Sequence, residues 1–265
     1  MSAPRADGLP SITIITPALN GERTIASALE SVASQGYPRL QHLVMDGASS
    51  DRTVEIARGF DHVEVHSEPD RGLSDALNKG LRLATGDLVG WLNADDLSHP
   101  GALERVGRAF AERPDAPLVT GLCRIIGGDG REIRAPITAY KNFLLRHYSY
   151  RLYLTQNFIS SPASFMNRRT LERVGEFDER FRLSMDYDMF LRLLKHGDPI
   201  VLDAYLASFR MDAGTLSMDN FESGFDEHVT NAREHGGDHP GFVLANRAIS
   251  RGIVLTYRAL RRFSG

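Results

Sequence analysis

The sequence contains one cysteine, Cys123, and one tryptophan, Trp91, among 265 residues. A lone thiol cannot build an internal disulfide framework, so the expected setting is a reducing compartment, the cytosol. No stretch reaches the roughly 18 consecutive apolar residues that a membrane-spanning helix requires. Met1 to Pro10 is small and polar with no apolar centre, and does not read as a secretory signal. An excess of one charge is missing too. The formal net charge of -3 gives no global attraction to nucleic acid, and no nucleic-acid partner is expected. No Gly-x-Gly-x-x-Gly follows the first apolar run and no Gly-Lys-Ser/Thr phosphate loop occurs, which disfavours dinucleotide dehydrogenases and phosphate-loop NTPases. The nine histidines are scattered and are expected in surface or packing roles. Ser49 and Ser50 sit in a turn with no paired base, which speaks against hydrolase nucleophiles.

What is present is alternation. Ser11 to Thr16 is a β-branched run ending at Pro17, and Thr24 to Ala33 carries apolar residues at helical spacing. Gln41–Met45, His62–His66 and Leu88–Leu92 predict further strands, separated by helices over Thr53–Phe60 and Leu73–Leu83, with Asp51 as an N-cap. A helix over Pro100–Glu112 follows. This is the signature of βαβ units in a mostly parallel, Rossmann-like sheet flanked by helices. Beyond Pro114 the spacing predicts strands over Leu118–Ile126, Glu132–Ala135, Pro162–Asn167 and Ala204–Met211. Helices are predicted over Arg169–Val174 and Tyr187–His196, and again from about Asn220. The aromatic, basic stretch Tyr140–Tyr153 reads as helix or mobile loop, and Tyr148, Tyr150, Tyr153, Arg146 and Arg151 suit an acceptor-binding flap. Trp91 is expected in the core.

In an open parallel sheet the ligand crevice lies beyond the carboxyl ends of the strands. Pro17, Ala18 and Asn20 follow the first strand, Asp46 the second, Glu68 to Gly72 the third, and Asn93-Ala94-Asp95-Asp96 the fourth. Turn chemistry alone accounts for single clusters of this kind. Adjacent carboxylates after a buried strand are harder to explain, because they repel unless a cation or hydrogen bonds compensate them. Oxygen ligands of this type suit Mg²⁺ or Mn²⁺ shared with substrate phosphates.

TPALNGERTIASALESVASQGYP, MDGASSDRT, SEPDRGLSDALNKGLRLATGDLVGWLNADD, ASFMNRRTLERVGEFDERF and MDYDMFLRLL together resemble glycosyltransferase family 2, from Ile12 to about Ser217. The resemblance implies a GT-A fold over residues 11–217, with a nucleotide-sugar-binding half (11–116) and an acceptor-side half (117–217). A C-terminal helical appendage (218–265) would follow. It implies an inverting transfer from a nucleotide diphosphate sugar, a UDP-sugar being favoured, to a glycan or lipid-linked glycan acceptor in surface polysaccharide or glycolipid synthesis. Pro17, Ala18, Asn20, Asp46, Asn93 and Ala94 would line the nucleotide-sugar site. Asp95 and Asp96 would hold Mn²⁺ or Mg²⁺, and Asp186 would be the catalytic base. Asp188, Arg210 and Asp212 would support. On an ideal helix Asp188 points about 200° away from Asp186, so the two are not expected to share a role.

The chain departs from the family pattern at several places. Asn93 replaces the first acid of the metal motif, Met185 a glutamate before the base, and Leu77 an arginine. Arg210-Met211-Asp212 stands where Arg-x-His is common. Gly241 to Gly265 contains arginines but no acids, so a basic amphipathic helix is expected there. It would suit peripheral membrane attachment, packing on the catalytic domain, or a homo-oligomer. The rival readings are a sugar nucleotidyltransferase, which would carry a basic Gly-rich loop after strand one, and a non-catalytic sugar-nucleotide-binding protein.

Overall fold

The structure, a computed structural model, describes residues 8–211 and 221–263. Its centre is an eight-stranded sheet in the order β3-β2-β1-β4-β7-β6-β8-β5. The first half supplies β1 (Ile12–Ala18), β2 (Leu40–Asp46), β3 (Val63–Ser67) and β4 (Leu88–Trp91), all parallel. The second half supplies β6 (Leu118–Ile126), β7 (Ser164–Asn167) and β8 (Ile200–Arg210). There β7 runs antiparallel to both β4 and β6, while β6 and β8 are parallel. A two-residue strand, β5 (Leu97–Ser98), closes the far edge against β8.

Side chains alternate across a strand, so β1 feeds two cores. Ile15 joins Leu43, Leu77, Trp91 and Phe190 on one face. Ile12 and Ile14 join Ala28, Val32, Leu103 and Phe165 on the other. The helices covering these faces are α1 (Ile25–Ala33), α2 (Thr53–Ala57), α3 (Leu73–Leu83), α4 (Ala102–Glu112), α5 (Ala135–Arg146), α6 (Tyr150–Tyr153), α7 (Arg168–Val174) and α8 (Met185–Leu194). Contact between α3 and β1 is close: a Cβ on Gly80 would stand 2.7 Å from Ile15 Cγ2. Two further helices, α9 (Phe221–His235) and α10 (Pro240–Phe263), complete the described chain.

Three expectations need correction. The first strand does not stop at Pro17 but continues to Ala18, with Pro17 opposite Met45. Pairing of β1 with β4 ends at Ile15, so the missing Pro17 N–H falls where that neighbour has already turned away. Glu132–Ala135 is not a strand. Only an isolated bridge joins Ile126 and Glu132 before α5 begins at Ala135. Nor is the aromatic stretch a flap. Tyr153 is fully buried against Phe158 and Tyr187, and Arg146 is paired with Asp203. The tail is helical as expected, and α10 is held to the end of α6 and to α8: buried Asn246 donates to the Leu154 carbonyl at 3.0 Å and to Tyr187 Oη at 3.3 Å. No described helix is long and apolar enough to cross a membrane.

Candidate active site

Parallel pairing brings the ends of β1, β2 and β4 to one edge, and the loops there are stitched to each other. Gly47 N donates to Ala18 O at 2.9 Å, and Leu92 N to Ile15 O at 3.0 Å. Asn20, in the left-handed region at φ 51°, accepts from Ser50 N at 2.9 Å, while its own N–H donates to Ser49 Oγ at 2.8 Å. Asp46 is buried beneath these loops. Its Oδ2 accepts from Ser67 Oγ at 2.6 Å and Ser49 N at 3.1 Å. Its Oδ1 is buried and meets no partner among the described residues. Pro17, Ala18, Asn20 and Asp46 thus form one cluster, and Ala94 packs with Ala18 and Val44 in the small core beneath it.

Beside this cluster lies a cavity of about 700 Å³. Asn93, Asp95, Asp186 and Arg210 all line it, whereas Asp46 does not. The two acids after β4 part company. Asp95 faces the cavity, and burial raises its carboxyl pKa even though Arg210 pulls it down. Asp96 lies underneath, fully buried, with Oδ1 accepting from Arg210 N at 2.8 Å and Oδ2 from Asn93 Nδ2 at 2.9 Å. Burial and the neighbouring Asp95 charge raise its pKa well above the usual carboxylate range. The Arg210 guanidinium donates to Asp95 O at 2.8 Å and to the carbonyls of Gly127 and Gly128 at 3.1 and 2.9 Å, fixing the loop that carries Asp95.

Asp186 opens α8, where its carboxylate favours the positive end of the helix. Asn157 Nδ2 donates to both of its oxygens at 3.2 Å, and Tyr187 N to Oδ1 at 2.7 Å. Tyr153 Oη donates to Asn157 Oδ1 at 3.0 Å, so a buried tyrosine orients the amide that orients the acid. Burial pushes the Asp186 pKa up; these hydrogen bonds and the charge of Lys141 work against it without cancelling it. Asp188 points away from the cavity and pairs with Arg192 at 2.7 Å and His235 at 2.8 Å, joining α8 to α9. Asp212 lies outside the described residues. Asn157, Lys141 and His228 also line the cavity but carried no motif that marked them in the sequence.

Among the described residues no group of three or more His, Cys, Asp or Glu side chains makes a self-sufficient metal cage. The donor set nevertheless fits a cation that draws its other ligands from phosphate and water. Asn93 and Asp95 line the same cavity, and with Asn93 Nδ2 committed to Asp96 the neutral amide oxygen of Asn93 remains as a donor alongside the Asp95 carboxylate.

The chain belongs to glycosyl transferase family 2, whose profile it matches over residues 13–175. It is therefore a glycosyltransferase with the GT-A fold. It is 28% identical to an uncharacterized glycosyltransferase of Mycobacterium tuberculosis over 207 residues, 76% of this chain and 75% of that protein. It is 26% identical to a PGL/p-HBAD biosynthesis glycosyltransferase of Mycobacterium bovis over 211 residues, 74% of each. Among solved structures, the mannosyltransferase PcManGT from Pyrobaculum calidifontis, in complex with GDP-Man and Mn²⁺, has a TM-score of 0.69 at 19% identity, covering 95% of this chain and 80% of that one. Staphylococcus aureus TarS 1–349 in complex with UDP-GlcNAc has a TM-score of 0.62 at 17% identity, covering 83% of this chain and 66% of that one.

Proposed function

We propose that this glycosyltransferase transfers a sugar, with inversion, from a nucleoside diphosphate to an acceptor hydroxyl in the synthesis of a surface glycan or glycolipid. The observation that carries the reading is the shared cavity of Asp95 and Asp186. Asp46 Oδ1, buried and unpartnered, supports a place for the ring N–H of a uracil or guanine base above Pro17, Ala18 and Asn20. By analogy with the donors in the two related complexes, the base is uracil or guanine. Asp95 and Asn93 would hold a divalent cation, which when bound neutralises charge on the departing diphosphate. Asp96 braces Asn93 directly and Asp95 through Arg210.

At the acceptor end, Asp186 Oδ2 is the less encumbered oxygen, since Oδ1 also accepts from Tyr187 N. As the acceptor oxygen bonds to the anomeric carbon and the carbon–phosphate oxygen bond breaks, the hydroxyl proton passes to Oδ2. A carboxylate with a raised pKa is the stronger base for this step. Asn157 keeps the acid oriented throughout.

The test is Asp186→Asn, with transfer and nucleotide binding measured separately. Transfer should fall by about 10²–10⁴-fold, the usual worth of a positioned base, while binding of UDP or GDP with Mn²⁺ persists. Transfer near the wild-type rate would overturn the assignment.

A further inference from the structure

Lys141 is a cation that the donor chemistry does not use. It lies on α5, whose Ile137, Thr138 and Lys141 fall on one helical face and line the cavity together. Among the described residues, none forms a hydrogen bond or ion pair with its Nζ. The Lys141 side chain keeps some accessible surface because it borders the cavity, yet the surrounding protein is dense enough to lower its pKa by desolvation. The ionisable groups acting on it are Cys123 and Asp186. Burial pushes the Cys123 thiol up to about 12, so it is neutral. The Asp186 carboxylate already accepts from Asn157 and Tyr187. A desolvated ammonium that feels the Asp186 charge but makes no direct ion pair among the described residues is costly, and an anion bound against it would reduce that cost.

Four cations line the cavity, Arg134, Lys141, Arg182 and Arg210. Asp95 feels Arg210, whereas Asp186 and His228 feel Lys141. The lining also carries apolar side chains, among them Ile159, Phe209, Phe225, Ile249 and Ile253. We propose that Lys141 is the anion subsite for the acceptor, holding a phosphate or like anionic group that an amphipathic acceptor carries close to its reacting hydroxyl. This rests on the placement of the acceptor at Asp186. The same chemistry from the other source, the donor's diphosphate, is the outcome that reassigns the residue.

Trp91, the sole tryptophan, lines the same cavity, so its fluorescence reports occupancy. The probes are n-octyl phosphate and 1-octanol, which differ only in the anionic group. Each is titrated against the full chain and against Lys141→Met and Lys141→Arg. UDP and GDP with Mn²⁺ are titrated in parallel. The wild type should bind the phosphate about ten-fold or more tightly than the alcohol, as a charge-assisted contact provides. Lys141→Met should bring the ratio to about one, Lys141→Arg should retain most of it, and nucleotide affinity should be unchanged in all three. A ratio near one in the wild type, or an unchanged ratio in Lys141→Met, overturns the proposal. Loss of nucleotide affinity in Lys141→Met with the ratio preserved also overturns it, and assigns Lys141 to the donor diphosphate. The ratio is read without donor. A failure of nucleotide to bind the wild type would therefore count against the transfer reading and leave the subsite to be judged by the ratio alone.

Discussion

Asp96→Asn separates a metal ligand from the brace beneath it. In the native protein Asp96 accepts two hydrogen bonds, from Arg210 N at 2.8 Å and Asn93 Nδ2 at 2.9 Å. An asparagine at this position has one acceptor and one donor. Its oxygen can keep the Arg210 N–H, but its amide group then meets the Asn93 amide group, donor against donor. The conflict resolves if Asn93 turns its amide over and accepts from the new side chain. Packing is kept and a carboxyl whose ionisation burial disfavours is gone, so the melting temperature should be no lower than wild type near neutral pH. The cost appears at the cavity, where Asn93 now presents N–H instead of oxygen to the cation. Loss of an orienting partner of this kind weakens metal binding by about 10–100-fold, or about 1.4–2.7 kcal/mol. Asp96→Ala is the contrast. It strands the Arg210 N–H and the Asn93 amide in a buried void, each worth about 1–3 kcal/mol, and at about 2–4 °C per kcal/mol it should melt roughly 4–24 °C lower. Thermal melts and Mn²⁺ titrations in the presence of UDP or GDP read both quantities. If Asp96→Asn melts as low as Asp96→Ala, or if it abolishes Mn²⁺ binding entirely, the brace argument is wrong and Asp96 is itself a ligand.

Other outcomes follow from the same geometry. Asp188→Ala leaves Arg192 and His235 without their shared carboxylate at the α8–α9 contact; breaking a buried pair costs about 3–5 kcal/mol, which chemical denaturation should register. Burial alone would raise the Asp188 pKa, but the His235 hydrogen bond and the Arg192 charge outweigh it and hold it low. Its contribution is therefore complete above the ordinary aspartate pKa and is lost as pH falls below that value, an acid-side loss of stability that Asp188→Ala should not show. Asp186 has the opposite sign. Its raised pKa means the ionised form weakens the fold at neutral pH, so Asp186→Asn should melt no lower than wild type. The transfer rate should fall on an acid limb above the ordinary carboxylate range, and a flat pH–rate profile there would refute the base assignment. Asn246→Leu unpairs the buried Leu154 carbonyl, a loss of about 1–3 kcal/mol; an unchanged melt would mean that α10 is not anchored as described.

The proposed donor half, residues 11–116, was largely legible in the sequence because its signals are local. Short β-branched runs, each followed by a turn-forming cluster, mark parallel strands and place Asp46 and Asn93-Ala94-Asp95-Asp96 at one edge. Leu73–Leu83 and Leu118–Ile126 have the bounds that periodicity predicts. The acceptor half is not local. Residues 135–146 alternate aromatic, basic and apolar side chains with little periodicity, and nothing in that run shows that Lys141 lines the cavity while Phe143 is exposed away from it. Asn157 is an isolated amide in a loop, and only the contact of its carbonyl with buried Tyr153 and of its amide with Asp186 gives it a role. The division between Asp95 and Asp96 is likewise invisible to spacing. Which of two adjacent acids faces the cavity depends on Arg210, more than a hundred residues downstream.

That difference has a consequence for the family. The matched region, residues 13–175, contains the Asp46 cluster, the Asp95 loop and Lys141, but ends before Asp186, Arg210, α9 and α10. Four residues of α10 at helical spacing, Asn246, Ile249, Ser250 and Ile253, turn inward, the first as an anchor and the other three as cavity wall. Part of the cavity wall is thus built from a segment beyond the residues matched to the family profile. Changes there can alter the shape and polarity of the acceptor's surroundings without touching the strand ends that would hold the nucleotide. The family profile thus covers the sheet edge that carries Asp46 and Asp95, while Asp186 and the inward face of α10 lie beyond it, so the two ends of the cavity can change independently.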